Sequence, residues 1–237
     1  MDKTPTRITA IILAGGTGSR MRTSTPKQFL ELKGRPVIMY SVEIFAISPH
    51  ISDIVIVCHK EYIKLAEQLV KVEKTPKIHK IIPGGKTRQE SAYLGLKNCP
   101  KDTTHVLIHD AARPFVDNAM IKRTISAAVK YKAATTAVDV TDTVIEISTG
   151  KIIKFLDRDK LRRVQTPQGF EYKTILSAHE KARKEGFNSA TDDCVLAMTY
   201  GTPVKIVNGS EKNKKITRKG DILYVQDRDD RPRLLGK

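Results

Sequence analysis

The stretch Leu13 to Met21, LAGGTGSRM, follows directly on the apolar run ITAIIL and sets three glycines and an arginine where a chain leaves a strand. Glycines at such a junction let backbone N–H groups approach phosphate oxygens, and Arg20 adds a planar cationic fork. Beyond it, Pro26 restricts Thr25 and fixes its own φ, so Lys27 follows as a compact charge held in a defined direction. The chemistry indicated is phosphate binding, which several families share. A P-loop would need a Gly-Lys-Ser/Thr ending separated by four residues from its first glycine, and this loop has none at that spacing. The dinucleotide fingerprint finds its GxG in Gly16 and Gly18, but Met21 stands where the third glycine belongs and Asp53 precedes the second strand instead of closing it. A plain glycine turn with two solvated cations is the remaining alternative.

A second chemical candidate is Asp110, which follows the apolar run THVLIH at what would be the carboxyl end of a strand. A single carboxylate there suits Mg²⁺, which shares its coordination with phosphates and water; the plainer reading is a turn aspartate. The six histidines fall at no metal or triad spacing. Cys58, Cys99 and Cys194 are odd in number and form no CxxC pair, which argues against both a disulfide framework and a zinc site.

Elements of two kinds must position these groups. Short β-branched runs at 8–13, 53–59, 80–83, 104–109 and 202–207 are near-continuously apolar, the pattern of strands covered on both faces of a parallel sheet. Helical patterns lie between and after them at 36–47, 61–72, 88–98, 118–132, 172–184 and 191–200. The alternation predicts an α/β class with ligands at the carboxyl ends of the strands. Residues 139–160 break the rhythm: VTDTVIEI and KIIKFL alternate around Ser148, Thr149 and Gly150, predicting a hairpin that either projects as an arm or packs on its own domain. One domain is expected over 1–226, with a polar tail at 227–237 and no fused cyclase domain after it.

Lys plus Arg exceed Asp plus Glu by 42 − 26 = 16, a positive field that attracts anions such as phosphorylated small molecules or nucleic acid, or that serves solubility alone. Against nucleic acid, aromatic residues are only 5%, tryptophan is absent and no RRM, KH or recognition-helix signature is present. The first apolar run is far too short to span a bilayer and no cleavage pattern follows it, so a cytoplasmic protein without membrane partners is expected.

LAGGTGSRMRTSTPKQF resembles the LxxGxGxR…PK signature of sugar-nucleotide and alditol-phosphate nucleotidyltransferases, with every defined position filled. PGGKTRQES, HDAARPFV, LDRDKLRRVQTPQGF and TDD, in order and spacing, are similar to the 2-C-methyl-D-erythritol 4-phosphate cytidylyltransferase family. The resemblance implies a Rossmann-like three-layer α/β/α nucleotidyltransferase fold with a mostly parallel sheet, whose hairpin arm at 139–160 reaches across a homodimer. It implies CTP and an alditol phosphate as substrates and Mg²⁺ as cofactor.

By the same resemblance, Arg20, Lys27 and Lys215 neutralise charge at the CTP α-phosphate. Ala14, Gly15, Gly16, Thr17 and Gly18 wrap the triphosphate, Asp110 and Ala111 adjoin the nucleotide, and Asp110 holds the metal. Gly85 and Ser91 address the cytosine, although a loop glycine and a helix-start hydroxyl would look the same. Arg113, Thr143, Arg158, Thr166 and Thr191 match contacts to the alditol phosphate, Thr143 and Arg158 being delivered to the partner's site. Thr191 reads equally as the N-cap of the helix that follows. Two departures stand out: Lys86 replaces an acidic residue common after the paired glycines, and KNKKIT makes Lys214 and Lys215 adjacent. Ribitol 5-phosphate cytidylyltransferases share the loop and the arm, but Ala112 and Gly169 lean toward the methylerythritol phosphate enzymes.

Overall fold

The computed structural model describes residues 6–16, 25–218 and 220–221. Thr17, Gly18 and Arg20 of the glycine loop, and the tail at 227–237, lie outside the described residues. In chain order the elements are β1 (Ile8–Ala14), short β2 (Glu31–Leu32) and β3 (Arg35–Pro36), α1 (Val37–Ile47), β4 (Asp53–Cys58), α2 (Ile63–Val72), β5 (Ile78–Pro83) and α3 (Arg88–Lys97). There follow β6 (His105–Asp110), α4 (Asn118–Tyr131), β7 (Ala133–Asp139), β8 (Ile145–Ser148), β9 (Lys151–Phe155), β10 (Arg162–Glu171), α5 (Tyr172–Lys184), α6 (Asp193–Thr199) and β11 (Lys205–Asn208).

Among the described residues the main sheet has seven strands in the order β11-β7-β10-β6-β1-β4-β5. Only β10 runs against the rest, pairing antiparallel with both β6 and β7. β1 sits near the middle with all its residues buried, in parallel register with β4 (Ile12 opposite Ile56) and β6 (Leu13 opposite Asp110). Because successive side chains point to opposite faces, Ala10, Ile12 and Ala14 meet α1, α2 and α4, whereas Ile11 and Leu13 meet α3, α5 and α6. This two-sided burial explains the unbroken apolar runs and gives the three expected layers. α3 comes so close to the sheet that a Cβ at Gly95 would lie 2.5 Å from Ile11 Cγ2, so only glycine fits at this crossing.

The chain passes from β1 outward to β4 and β5, then returns through α3 to β6 on the other side of β1. The strand order therefore reverses between β1 and β6, and the carboxyl ends of those two strands diverge around a crevice. Ala14–Gly15–Gly16 and Asp110 sit at that point.

The sequence pattern does not announce β7 and β10, although they join the sheet. Their buried polar residues explain this: Thr135, Thr136, Gln165 and Gln168 all lie in the interior with side-chain hydrogen bonds to neighbouring strands or loops. β11 is shorter than the run at 202–207 suggested. The hairpin is present as β8 and β9, forming a separate two-stranded sheet whose residues are all exposed, so the arm projects from the body. Thr149 and Gly150 both take positive φ (47° and 79°), as a two-residue hairpin turn demands. No helix among the described residues is long and apolar enough to cross a membrane.

Candidate active site

A cleft of about 510 Å³ opens at the strand-order reversal. Ala14, Gly15 and Gly16 form one wall and Gly85, Lys86, Thr87, Arg88 and Ser91 another, while Lys27, Asp110, Ala112, Lys215 and Thr217 close it. Lys27 opens a 3-10 turn (Lys27–Phe29) directly after Pro26, whose φ is −57°. Next to it Gln28, 2% exposed, donates its amide to the carbonyls of Ala14 and Gly16 (2.8 Å for the latter), tying the start of the glycine loop to the Lys27 turn. Gln28 carries no role in the sequence reading. A glutamine beside a site lysine gives little signal until the fold shows which carbonyls it braces.

The second wall begins where β5 ends. Thr87 caps α3 by accepting from Glu90 N (3.0 Å), and Glu90 reaches back to accept from Lys86 N (2.7 Å). Ser91 is therefore not a helix-start hydroxyl. It stands one turn inside α3, donates to the Thr87 carbonyl (2.9 Å) and accepts from Gly85 N (3.1 Å). Its hydroxyl holds the Gly84–Gly85 turn, and a Cβ on Gly84 would fall 2.9 Å from Ser91 Oγ and 3.5 Å from the Cα of Gly15. The two glycine turns thus pass at backbone distance, with Ser91 bracing one of them.

Asp110 is the electrostatic centre. Lys215 Nζ donates to its Oδ2 (2.6 Å) and Arg88 Nε to its Oδ1 (3.3 Å), while Arg88 Nη1 donates to Asp193 Oδ2 (2.7 Å). Asp193 in turn accepts from Nε2 of the buried His179 (3.0 Å). Burial by itself would raise the Asp110 carboxyl, but Arg88 and Lys215 outweigh it and hold it well below the usual carboxylate range. Asp193 is likewise held down against its burial, by Arg88 and then His179. His109, fully buried beneath Asp110, is lowered by that burial to about 4 and is neutral at physiological pH. The three thiols rise with burial, Cys58 to about 11 and Cys99 to about 12, as inert reduced cysteines should.

The remaining expected residues divide. Ala111 is fully buried behind the cleft, its N–H bonded to the Leu13 carbonyl (2.9 Å), and it is Ala112 that faces the opening. Arg113 donates to the carbonyls of Asn213 (2.9 Å) and Val164 (3.4 Å), fastening the 110–113 turn to the segment that carries Lys215. Thr166 is 3% exposed and bonded to Asp110 N and His109. Thr143 and Arg158 are exposed at the base of the arm, away from this cleft, with Arg158 bonded to the Thr141 carbonyl (3.0 Å). Thr191 is exposed and does not cap α6. That cap is Asp192, which accepts from Cys194 N (2.8 Å) and from Gln168 Nε2 (2.8 Å).

Arg88 is the main omission from the sequence reading. It lies inside the quoted string PGGKTRQES, but a basic residue in the first turn of a helix reads as surface charge until its two carboxylate partners, 22 and 105 residues away, are known.

The family model for IspD, 2-C-methyl-D-erythritol 4-phosphate cytidylyltransferase, matches residues 8–227. The chain is 43% identical over 221 residues to the 2-C-methyl-D-erythritol 4-phosphate cytidylyltransferase of Desulforamulus reducens, covering 92% of this chain and 94% of that one. It is also 43% identical over 219 residues to the protein of the same name from Clostridium acetobutylicum (92% and 95% covered). Among solved structures it is similar to 4-diphosphocytidyl-2C-methyl-D-erythritol synthase from Anaerococcus prevotii, with a TM-score of 0.83 and 31% identity over 94% of this chain and 95% of that one. The 2-C-methyl-D-erythritol 4-phosphate cytidylyltransferase of Thermus thermophilus aligns at a TM-score of 0.77 and 28% identity (93% and 98% covered). The match of the family model over most of the chain and the relatives' identity over more than nine-tenths of it show that the chain belongs to the 2-C-methyl-D-erythritol 4-phosphate cytidylyltransferase family.

Proposed function

We propose that this chain transfers CMP from CTP to 2-C-methyl-D-erythritol 4-phosphate and releases pyrophosphate. The observation that carries the reading is one cleft holding the glycine turn, Lys27, Lys215 and a carboxylate fixed between two cations. A phosphate oxygen of the alditol attacks the α-phosphorus of CTP, a new P–O bond forms, and the bond to the β-phosphate oxygen breaks. The nucleophile belongs to the substrate, so no serine, cysteine or histidine need be activated.

Catalysis then rests on alignment and on neutralising charge that grows on the α-phosphate and the leaving pyrophosphate. Lys27 and Lys215 line the cleft and would serve there, and Arg20 is assigned the same role by its position in the sequence motif. Gly85 and Ser91 would offer the cytosine a fixed backbone edge. Mg²⁺ fits the donor set: Asp110 presents one carboxylate to the cleft, and an ion that keeps its waters and shares phosphate oxygens can be held by a single carboxylate. When bound, the ion would add Lewis-acid polarisation of the phosphates. Lys215, bonded to the same carboxylate, is placed to pass from Asp110 to the incoming phosphate.

The arm supports a homodimer. Its cross-strand pairs Ile145–Phe155 and Ile147–Ile152 expose four large apolar side chains, from 39% for Ile145 to 65% for Phe155. An isolated two-stranded hairpin with such a surface needs a partner to cover it. A second copy would do so and would carry Thr143 and Arg158 to a neighbouring cleft. Cytoplasmic placement completes the reading.

The test is pyrophosphate release with purified protein, Mg²⁺, each of the four nucleoside triphosphates, and either 2-C-methyl-D-erythritol 4-phosphate or ribitol 5-phosphate. CTP with methylerythritol phosphate should be the productive pair, and no release from that pair refutes the proposal.

A further inference from the structure

We propose that Asp221 is a positioning residue that sorts two adjacent lysines, presenting Lys215 to the cleft and holding Lys214 out of it. The inference rests on the reading above, in which Lys215 serves at the phosphates. KNKKIT sets the two lysines side by side, and by residue type either could meet an anion. The fold gives each a carboxylate of its own. Lys215 Nζ lies 2.6 Å from Asp110 Oδ2, and Lys214 Nζ lies 3.2 Å from Asp221 Oδ1. Lys215 and Thr217 line the cleft, while Lys214 turns away to Asp221.

Asp221 also holds the backbone that carries both lysines. Its Oδ2 accepts from the Thr217 N–H, the Thr217 hydroxyl and the Arg218 N–H, each at 2.8 Å. Its own N–H donates to the Arg218 carbonyl (3.0 Å), which closes the turn from the other side. Hydrogen bonds to an ionised carboxylate are the strong kind. Partial burial acts to raise this carboxyl, but the Thr217 and Arg218 donors with Lys214 hold it at about 2, so the clamp is charged at neutral pH. On the near side of the turn, Ile216 is fully buried against Leu32 and Val37, with its N–H on the Ala112 carbonyl (2.8 Å). Before the lysines, the Asn213 carbonyl accepts from Arg113 Nη1 (2.9 Å). Lys215 is therefore carried on a segment fastened at 213, 216 and 217–218, and Asp221 supplies the last of these fastenings. Removing it loosens the segment and releases Lys214 at the same time. A second cation would then compete for the same anion without the alignment that transfer requires.

A kinetic cycle on the full chain tests the proposal. Asp221→Ala should lower kcat by about ten- to thirtyfold with KM for CTP within about threefold, the mark of a misplaced reacting geometry. Asp221→Asn, which keeps an acceptor oxygen for Thr217 and Arg218, should lose about two- to fivefold and carries the same cycle if Asp221→Ala does not fold. In a Lys215→Ala background either change should cost less than about twofold more, because the group that Asp221 positions is already gone. Lys214→Ala should keep kcat within about twofold of wild type. Losses that multiply in the double variant, or a Lys214→Ala loss as large as that of Lys215→Ala, overturn the proposal. Amide exchange of the ligand-free chain gives a readout without turnover. Asp221→Ala should speed exchange at 216–218 by about tenfold or more while β1 and β6 keep their wild-type rates; no rise at 216–218, or an equal rise in β1 and β6, overturns the positioning role. If the wild-type chain releases no pyrophosphate from any pair, the activity reading fails, and amide exchange still decides whether Asp221 holds this segment.

Discussion

Arg88→Met is the sharpest single perturbation of the site, because it removes the cation that two buried carboxylates share. Asp193 is 1% exposed and, among the described residues, would keep His179 as its ion-pair partner, and Asp110 would keep Lys215, with Arg113 acting from farther off. Removing one partner of a buried ion pair typically costs about 3–5 kcal/mol, because the other charge stays buried and uncompensated. For a domain of this size about 1 kcal/mol moves Tm by roughly 2–4 °C, so a fall of about 6–20 °C is expected in a thermal melt near pH 7. The pH dependence has a definite sign. Asp110 and Asp193 are depressed in the folded wild type, so the stability they contribute is full above the unfolded carboxylate pKa of about 4 and is lost as the pH falls toward their folded values. In the variant, burial without Arg88 lets Asp193 protonate more readily, so the gap between the two melts should narrow as the pH falls through that range. Adding Asp193→Asn to Arg88→Met removes the orphaned charge and should restore about half of the lost stability or more. A loss below about 1 kcal/mol, or a double variant as weak as the two single losses summed, would refute the shared-cation account.

Lys27→Ala should lower kcat by about 10²–10³-fold, the usual cost of deleting one group that stabilises developing charge, measured as pyrophosphate release at saturating CTP. Gly85→Ala would set a Cβ 2.2 Å from Glu90 Cγ, so Glu90 must leave the Lys86 amide; KM for CTP should rise severalfold and stability fall by about 1 kcal/mol, read by kinetics and a urea melt. If the arm pairs two copies as proposed, light scattering should find the unaltered chain as a dimer and Phe155→Glu as a monomer whose body keeps its helical circular dichroism. Mixing inactive Lys27→Ala with inactive Arg158→Ala protein should restore pyrophosphate release, since one mixed site then holds both intact residues; no recovery argues against a site built from two chains.

The legible part of this fold was the part made of apolar continuity. β1, β4 and β6 are covered on both faces, so their burial is written as unbroken runs of Ile, Val, Leu and Ala. β7 and β10 are equally central but bury threonines and glutamines that satisfy one another across strands, and no local pattern distinguishes such a strand from a polar loop. The glycine turns were legible because glycine frees the backbone and proline fixes it wherever they occur. Arg88, Gln28 and the Asp192 cap were not, because each takes its meaning from a partner brought near only by the fold. Asp110 was half legible: its place at a strand end was visible, and its two cations were not.

Lys215 meets Asp110 across 105 residues, and the adjoining Ile216 donates its N–H to the Ala112 carbonyl (2.8 Å). On a ribosome this order becomes a schedule. The glycine turns, α3 and Asp110 emerge first, Asp193 much later, and the closing lysine later still, when nearly the whole described chain has been made. Until Lys215 has been made, a nascent chain can offer Asp110 the Arg88 bond but not the Lys215 bond. Translation itself thus delays the moment at which the protein can commit a nucleotide to chemistry.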